Sequence, residues 1–197
     1  MEAKKVAIVV LAAGNARRFG SDKLMADLDG VPLGVHAARA LLSIPAAAHF
    51  AVCQPDAAIA PHYAELGYTC VENPNADLGL SASLHLAVAA AAKTQAQALL
   101  IALADMPFIA AAHIDALIAA CEGEIIASSD GAQAMPPAIF PRATWPMLLD
   151  TQGDAGARHI LSQARSFAAP SGSLRDIDTP DDLAASKSPP LGLDRSS

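Results

Sequence analysis

Aromatic residues are scarce in this sequence, and basic residues are outnumbered by acidic ones. Phe, Trp and Tyr make up only 4% of its 197 residues, whereas apolar residues make up 53%, with much Ala and Leu. This composition is typical of a helix-rich globular protein. The net charge of −7 argues against a general nucleic-acid-binding surface, which needs an excess of basic side chains. A chain of this length can bury a substantial core within one domain.

Cysteine pairs and long apolar runs are also lacking. The three cysteines are far apart in the chain and odd in number, so they form neither a disulfide framework nor a metal-binding spacing. Asp105 and Pro107 interrupt the longest apolar stretch (96–112), which is therefore not expected to span a bilayer. The N-terminal residues show no secretion-signal pattern. We expect a soluble protein of the reducing cytoplasm, without nucleic-acid or membrane partners.

Strand-like and helix-like segments alternate along the chain. Strands are predicted at 6–11, 50–53, 68–71, 98–103, 124–127, 138–140 and 174–177, and helices at 32–42, 58–65, 81–92, 110–121, 145–149, 155–164 and 180–185. This alternation predicts a three-layer, Rossmann-like α/β domain whose twisted, mostly parallel sheet is covered by helices on both faces. The domain is predicted to span residues 1–186. Residues 187–197 are rich in Ser, Pro, Gly and Asp without periodicity, and are predicted to be a disordered tail.

The first strand leads into a loop of small and basic residues. Gly14, Arg18, Gly20 and Lys23 all follow it within twelve positions. At the carboxyl end of a parallel strand, backbone N–H groups and nearby cations commonly bind phosphates. The glycine spacing fits neither a P-loop nor the Gly-x-Gly-x-x-Gly pattern of dinucleotide-binding enzymes. The loop is therefore predicted to bind nucleotide phosphates in another way.

A second buried strand leads to a carboxylate. Asp105 follows the apolar run 98–103, and it lies beside the first loop if the two strands are neighbours. A buried carboxylate is costly unless a cation meets it, and Mg²⁺ is commonly held by one or two carboxylates together with substrate phosphates. Capping of the next helix is the alternative interpretation. It is weakened because Met106, Pro107 and Phe108 intervene before a helix is predicted.

Three further groups of residues allow a structural and a functional interpretation. Asp176 and Asp178 share one face if 174–177 is a strand, yet acids near Thr179 and Pro180 are also typical of a helix N-terminus. Ser81 and Ser83 begin a predicted helix, so capping explains one of them. In a third group, Asp154 and Arg158 have the spacing of a helix salt bridge.

Together these segments resemble the signature of the nucleotidyltransferase family, and within it the molybdopterin cytidylyltransferase branch of the MobA-like NTP transferases. The matching segments are Leu11-Ala12-Ala13-Gly14, Arg18-Phe19-Gly20, Lys23, the stretch from Asn73 to Leu84, Leu103-Ala104-Asp105-Met106-Pro107, Gly153-Asp154-Ala155-Gly156-Ala157-Arg158 and Asp176-Ile177-Asp178-Thr179-Pro180. One departure is Ala16, where many members have Ser.

The resemblance implies a fold like that of the nucleotide-diphospho-sugar transferases, and it implies roles for individual residues. The nucleotide would be bound by Leu11, Ala12, Ala13, Gly14, Gly20, Lys23, Gly79, Ser81 and Ser83. Catalysis would depend on Lys23, Arg18 and Asp105. Mg²⁺ would be held by Asp105 and Asp178, with the participation of Asp176 left open, and Arg158 would bind the acceptor.

The resemblance also implies a reaction. CMP would pass from CTP to a phosphate-bearing acceptor, molybdopterin, with release of pyrophosphate, and a molybdoenzyme chaperone would be a partner. Ala13 favours CTP over GTP, because glycine there would leave room for a purine. The alternatives are a GTP-dependent or sugar- or polyol-phosphate nucleotidyltransferase, and a non-catalytic nucleotide-binding module. The presence of both Lys23 and Asp105 argues against the non-catalytic module, since binding alone needs no metal carboxylate.

Overall fold

The computed structural model describes residues 1–14, 19 and 22–187. Its strands are β1 (Val6–Ala12), β2 (Asp27–Leu28), β3 (Val31–Pro32), β4 (Ala48–Cys53), β5 (Thr69–Glu72), β6 (Ala98–Leu103), β7 (Ile126–Ser129), β8 (Ala134–Pro141) and β9 (Arg165–Ala168). Its α-helices are α1 (Leu33–Leu42), α2 (Ala60–Glu65), α3 (Leu80–Ala92), α4 (Ala111–Ala120), α5 (Trp145–Leu149), α6 (Gly153–Ser162) and α7 (Pro180–Ser186).

Seven strands form one sheet in the order β5-β4-β1-β6-β8-β7-β9, and β2 and β3 form a separate small hairpin. β8 runs antiparallel to both of its neighbours, whereas the other pairings in the large sheet are parallel. Alternate residues of β1 face opposite sides: Ile8 and Val10 pack in the core with α1, α2 and α4, and Ala7 and Val9 pack in the core with α3, α5 and α6. The predicted mostly parallel sheet with helices on both faces is confirmed.

The strand order brings the carboxyl ends of β1, β4 and β6 together. Leu11 of β1 pairs with Val52 of β4 on one side and with Leu103 of β6 on the other. From β1 the chain continues to β4 and β5 on one side of it, and then crosses back to β6 on the other side. The direction in which successive strands are added therefore reverses between β1 and β6. Such switch points are where open α/β sheets bind ligands. The predicted adjacency of the first loop and Asp105 is therefore confirmed.

Some elements differ from the prediction. The predicted strand 174–177 belongs to neither sheet; Leu174 lies in a turn, and Ile177 donates a backbone hydrogen bond of 2.9 Å to the Asp105 carbonyl. β9 and the β2–β3 hairpin were not predicted. Within the described ranges no helix is long and apolar enough to cross a membrane. Apart from Lys187, the predicted tail lies outside the described residues, and the single domain over 1–186 stays a prediction.

Candidate active site

A cleft with a volume of about 2480 Å³ opens at the carboxyl edge of the sheet. Its described lining comes from the ends of β1, β4 and β6, the start of α3, the β7–β8 hairpin, α6 and the segment 166–178. A single small ligand usually fills a pocket of about 300–1,000 Å³. The cleft is therefore large enough for a nucleotide and a second molecule side by side.

Lys23 lies between two carboxylates in this cleft. It begins a short 3₁₀ helix, Lys23–Met25, in which the Asp22 side chain accepts a hydrogen bond from the Leu24 amide. The Lys23 Nζ donates to Asp105 Oδ2 at 2.8 Å and to Asp178 Oδ1 at 3.0 Å, and its side chain is only 11% exposed. Three of the predicted catalytic and metal-binding residues thus meet at one point.

Packing and backbone contacts hold the two carboxylates close together. The Ile177 N–H donates to the Asp105 carbonyl, which places Asp178 beside the end of β6. Ile177 also packs with Phe19 and Leu183 in a small apolar cluster separate from the two main cores. Since Phe19 comes from the first loop, this cluster joins that loop to the segment carrying Asp178.

Asp105 does not serve as the helix cap that its alternative interpretation proposed, whereas Thr179 and Pro180 do form the helix N-terminus that was the alternative for residues 176–180. The cap of α7 is a capping box, in which Thr179 Oγ1 accepts from the Asp182 amide and Asp182 accepts from the Thr179 amide. α4 begins after Ala110 without a side-chain cap hydrogen bond in the described part of the chain. The Asp105 and Asp178 side chains contact Lys23 instead.

The electrostatics of this cluster are dominated by its excess of carboxylates. Burial alone would lower the pKa of the Lys23 ammonium, but the charges and hydrogen bonds of Asp105 and Asp178 outweigh it and raise that pKa above its ordinary value. Partial desolvation and the charges of Asp178 and Asp105 raise the pKa of the Asp176 carboxyl. Among the described residues, the second oxygen of Asp105, Oδ1, is buried without a hydrogen-bond partner. Within the described part of the chain, the Lys23 ammonium thus interacts with three neighbouring carboxylates, those of Asp105, Asp176 and Asp178.

The end of β1 and the start of the first loop form another part of the cleft lining. Leu11, Ala12, Ala13 and Gly14 all line the cleft, and the Gln54 Nε2 donates to the Ala13 carbonyl at 3.1 Å. Sequence reasoning missed Gln54, although its place directly after β4, the neighbour of β1, was a signal that could have found it. The predicted residues Arg18 and Gly20 lie outside the described residues.

Ser83 and Ser81 turn out to lie in different places. Ser83 lines the cleft beside Gly79, and its Oγ accepts a hydrogen bond of 2.9 Å from Asn73 Nδ2. The Asn73 Oδ1 accepts from the Asn75 amide, which orients the Asn73 amide so that its N–H group faces Ser83. Since Ser83 Oγ accepts this hydrogen bond, its hydroxyl can still donate one to another partner. Sequence reasoning also missed Asn73 as the partner of Ser83.

Ser81 connects α3 to the start of α6. Its Oγ accepts a hydrogen bond of 2.9 Å from the amide of Gly153, the first residue of α6, and it is buried. Ser83 is among the described residues that line the cleft, and Ser81 is not. Arg158, further along α6, is exposed and lines the cleft. The Asp154 side chain, its predicted salt-bridge partner, lies outside the described part of the structure.

Replacing each serine by Ala should separate these two positions. We expect Ser83→Ala to weaken binding of the predicted nucleotide by about two- to tenfold, since a hydrogen bond is worth about 0.5–1.5 kcal/mol. Ser81→Ala should leave nucleotide affinity within about twofold of wild type, because its partner is the α6 amide. Isothermal titration with nucleoside triphosphates and a divalent cation measures both. Equal losses in the two variants would contradict the distinction drawn from their positions.

The sequence of residues 8–168 matches the family model for the MobA-like NTP transferase domain. The chain is 30% identical over 188 residues to the purine catabolism protein PucB of Bacillus subtilis (strain 168), which covers 88% of this chain and 92% of PucB. It is 34% identical over 171 residues to a phosphoenolpyruvate guanylyltransferase of Sphaerobacter thermophilus, covering 79% of this chain and 74% of that protein.

Solved structures share the fold. A homologue of Mycobacterium tuberculosis Rv0371c from Mycobacterium sp. strain JC1 superposes with a TM-score of 0.78 at 26% identity, covering 94% of this chain and 98% of that one. Mycobacterium tuberculosis Rv0371c in complex with manganese gives 0.66 at 22% identity, covering 92% and 97%. Molybdopterin-guanine dinucleotide biosynthesis protein A from Archaeoglobus fulgidus gives 0.63 at 19%, covering 92% and 96%.

Proposed function

Because the chain belongs to the MobA-like NTP transferase family and is thus a nucleotidyltransferase, we propose that it transfers CMP from CTP to the phosphate of molybdopterin. Pyrophosphate is the second product. The finished cofactor is then passed to a molybdoenzyme, with that enzyme's chaperone as a partner. The observation that carries the catalytic part of this proposal is the contact of Lys23 with Asp105 and Asp178 at the switch point of the sheet.

The residues present fit a divalent cation. The buried Oδ1 of Asp105 has no partner in the described part of the chain, and carboxylate oxygens are the ligands that Mg²⁺ prefers. Among the described residues no group of three or more His, Cys, Asp and Glu side chains forms a complete metal site. This suits Mg²⁺, which usually takes one or two carboxylates and completes its shell with water and substrate phosphates. We assign Asp105 and Asp178 as its ligands, and a solved relative of this fold binds manganese.

The transfer itself needs positioning and charge neutralisation more than covalent help. An oxygen of the acceptor phosphate forms a bond to the α-phosphorus, and the bond from that phosphorus to the bridging oxygen breaks as pyrophosphate leaves. A bound metal ion supplies neutralisation of phosphate charge. Lys23 and Arg18 stabilise the negative charge on the leaving pyrophosphate, and Arg158 holds the acceptor phosphate across the cleft.

The choice of CTP rests on Ala13. This residue is buried at the end of β1 and lines the cleft, and its carbonyl is held by Gln54. A methyl group at this position narrows the space beside the base, whereas glycine would widen it toward a purine. The acceptor is assigned from the Gly153–Arg158 element, whose Arg158 lines the cleft.

A second candidate is guanylyl transfer with the same chemistry. It is favoured by the 34% identity to a protein named a phosphoenolpyruvate guanylyltransferase. In that reaction GTP replaces CTP, and Arg158 meets a different phosphate-bearing acceptor.

Calorimetric titration with CTP and with GTP, each with and without Mg²⁺, tests the proposal. We expect Mg²⁺-dependent binding of CTP in the wild type and its loss in Asp105→Ala, with Asp115→Ala as the control because Asp115 is an exposed residue of α4. Preference for GTP would replace cytidylyl by guanylyl transfer. Release of pyrophosphate on addition of molybdopterin tests the acceptor, and binding of neither nucleotide would contradict the proposed function as a whole.

A further inference from the structure

We propose that Lys23 acts as a competitor for the divalent cation: it occupies the Asp105–Asp178 pair in the free protein, so the metal enters only together with a nucleoside triphosphate. This inference rests on the proposed function, and it assigns to Lys23 a role in binding order that is distinct from its contact with phosphates. It is carried by the contacts that Lys23 makes in the described structure.

The competition follows from which atoms Lys23 contacts. Its ammonium donates to one oxygen of each proposed metal ligand, Oδ2 of Asp105 at 2.8 Å and Oδ1 of Asp178 at 3.0 Å. A cation held between two carboxylates satisfies the same charges and lone pairs that a metal ion would need. Since like charges repel, the ammonium and a divalent ion cannot both occupy the space between these carboxylates at low cost.

The second oxygen of Asp105 indicates more than a structural ion pair. Leaving a buried acceptor without a donor costs free energy, and buried ion pairs contribute to stability only when their remaining lone pairs are satisfied. Oδ1 of Asp105 has no such partner among the described residues. The ion pair between Lys23 and Asp105 thus leaves one buried oxygen unsatisfied among the described residues. The two carboxylates alone also supply too few ligands for a complete metal shell, so further ligands must come from elsewhere.

A nucleoside triphosphate would resolve the competition. Its phosphates offer Lys23 other anionic partners, and a lysine side chain can change partners by rotation of its flexible stem without movement of the backbone. Once Lys23 moves to the phosphates, Asp105 and Asp178 are free, and phosphate oxygens complete the metal shell. Metal and nucleotide then strengthen each other's binding by the same factor.

Titration of Mn²⁺ into nucleotide-free protein, with free Mn²⁺ followed by electron paramagnetic resonance, tests this order. We expect Lys23→Met to bind Mn²⁺ at least about tenfold more tightly than the wild type, because the charge of the ligand set governs the affinity of cation sites. Lys93→Met is the matched control, since Lys93 is exposed at the end of α3, and it should behave as the wild type. Addition of CTP should strengthen Mn²⁺ binding far more in the wild type than in Lys23→Met.

The outcomes separate this inference from the proposed function. Equal Mn²⁺ affinity of wild type and Lys23→Met without nucleotide would overturn the competition and leave the metal role intact. Failure of every variant to bind Mn²⁺, even with CTP, would overturn both. If Lys23→Met does not fold by circular dichroism, Lys23→Gln replaces it. Wild-type protein that binds Mn²⁺ equally well with and without CTP also overturns the inference.

Discussion

Replacing Asp105 by Asn should lower nucleotidyl transfer by about two to three powers of ten, the usual cost of removing one group that stabilises transition-state charge. The amide has nearly the same shape but no charge, and its nitrogen is a donor where a metal ion needs an acceptor. Of its two carboxylate partners among the described residues, Lys23 would keep Asp178, at 3.0 Å. The same change would thus impair both the proposed metal binding and the placement of Lys23.

The fold should survive this substitution. The Ile177 N–H bonds to the backbone carbonyl at position 105, which Asn keeps, and β6 is held by its buried apolar residues. Pyrophosphate release with CTP, Mg²⁺ and molybdopterin measures turnover, with Asp115→Asn as the control on the surface of α4. Undiminished turnover in a folded Asp105→Asn protein would show that this carboxylate holds no metal required for the reaction.

The fold was predictable where burial dominates the sequence pattern. β1 and β6 are continuous apolar runs because both of their faces are covered by helices. β9 was missed because Arg165 and Ser166 are exposed and the strand pairs on one side only, with β7. The segment 174–177 was wrongly predicted as a strand: only its two ends, Leu174 and Ile177, are apolar, Leu174 belongs to a turn, and the Ile177 amide donates to the Asp105 carbonyl rather than to a strand ladder.

The sequence singled out Lys23, Asp105 and Asp178 separately, and the structure shows that they are in contact. Strand-end position identified Asp105, and Asp178 came from its likeness to a family motif. That Lys23 bonds to both, across 82 and 155 residues of chain, is a tertiary contact that spacing does not reveal. Helix geometry could have predicted one further difference. Ser81 and Ser83 are two positions apart, so their side chains are separated by about 200° around an α-helix and face different neighbours.

Replacing Lys23 by Ala should also reduce turnover by about two to three powers of ten, since it removes a cation from the leaving pyrophosphate. Unlike Asp105→Asn, it frees both proposed metal ligands, so metal affinity in the free protein should rise while the chemical step slows. A variant that binds metal better yet reacts more slowly shows that Lys23 acts on the phosphates beyond holding Asp105 and Asp178 in place. Pyrophosphate release at saturating Mg²⁺ and CTP, with Lys93→Ala as control, measures this. Wild-type turnover under those conditions would confine Lys23 to the ordering of metal and nucleotide binding.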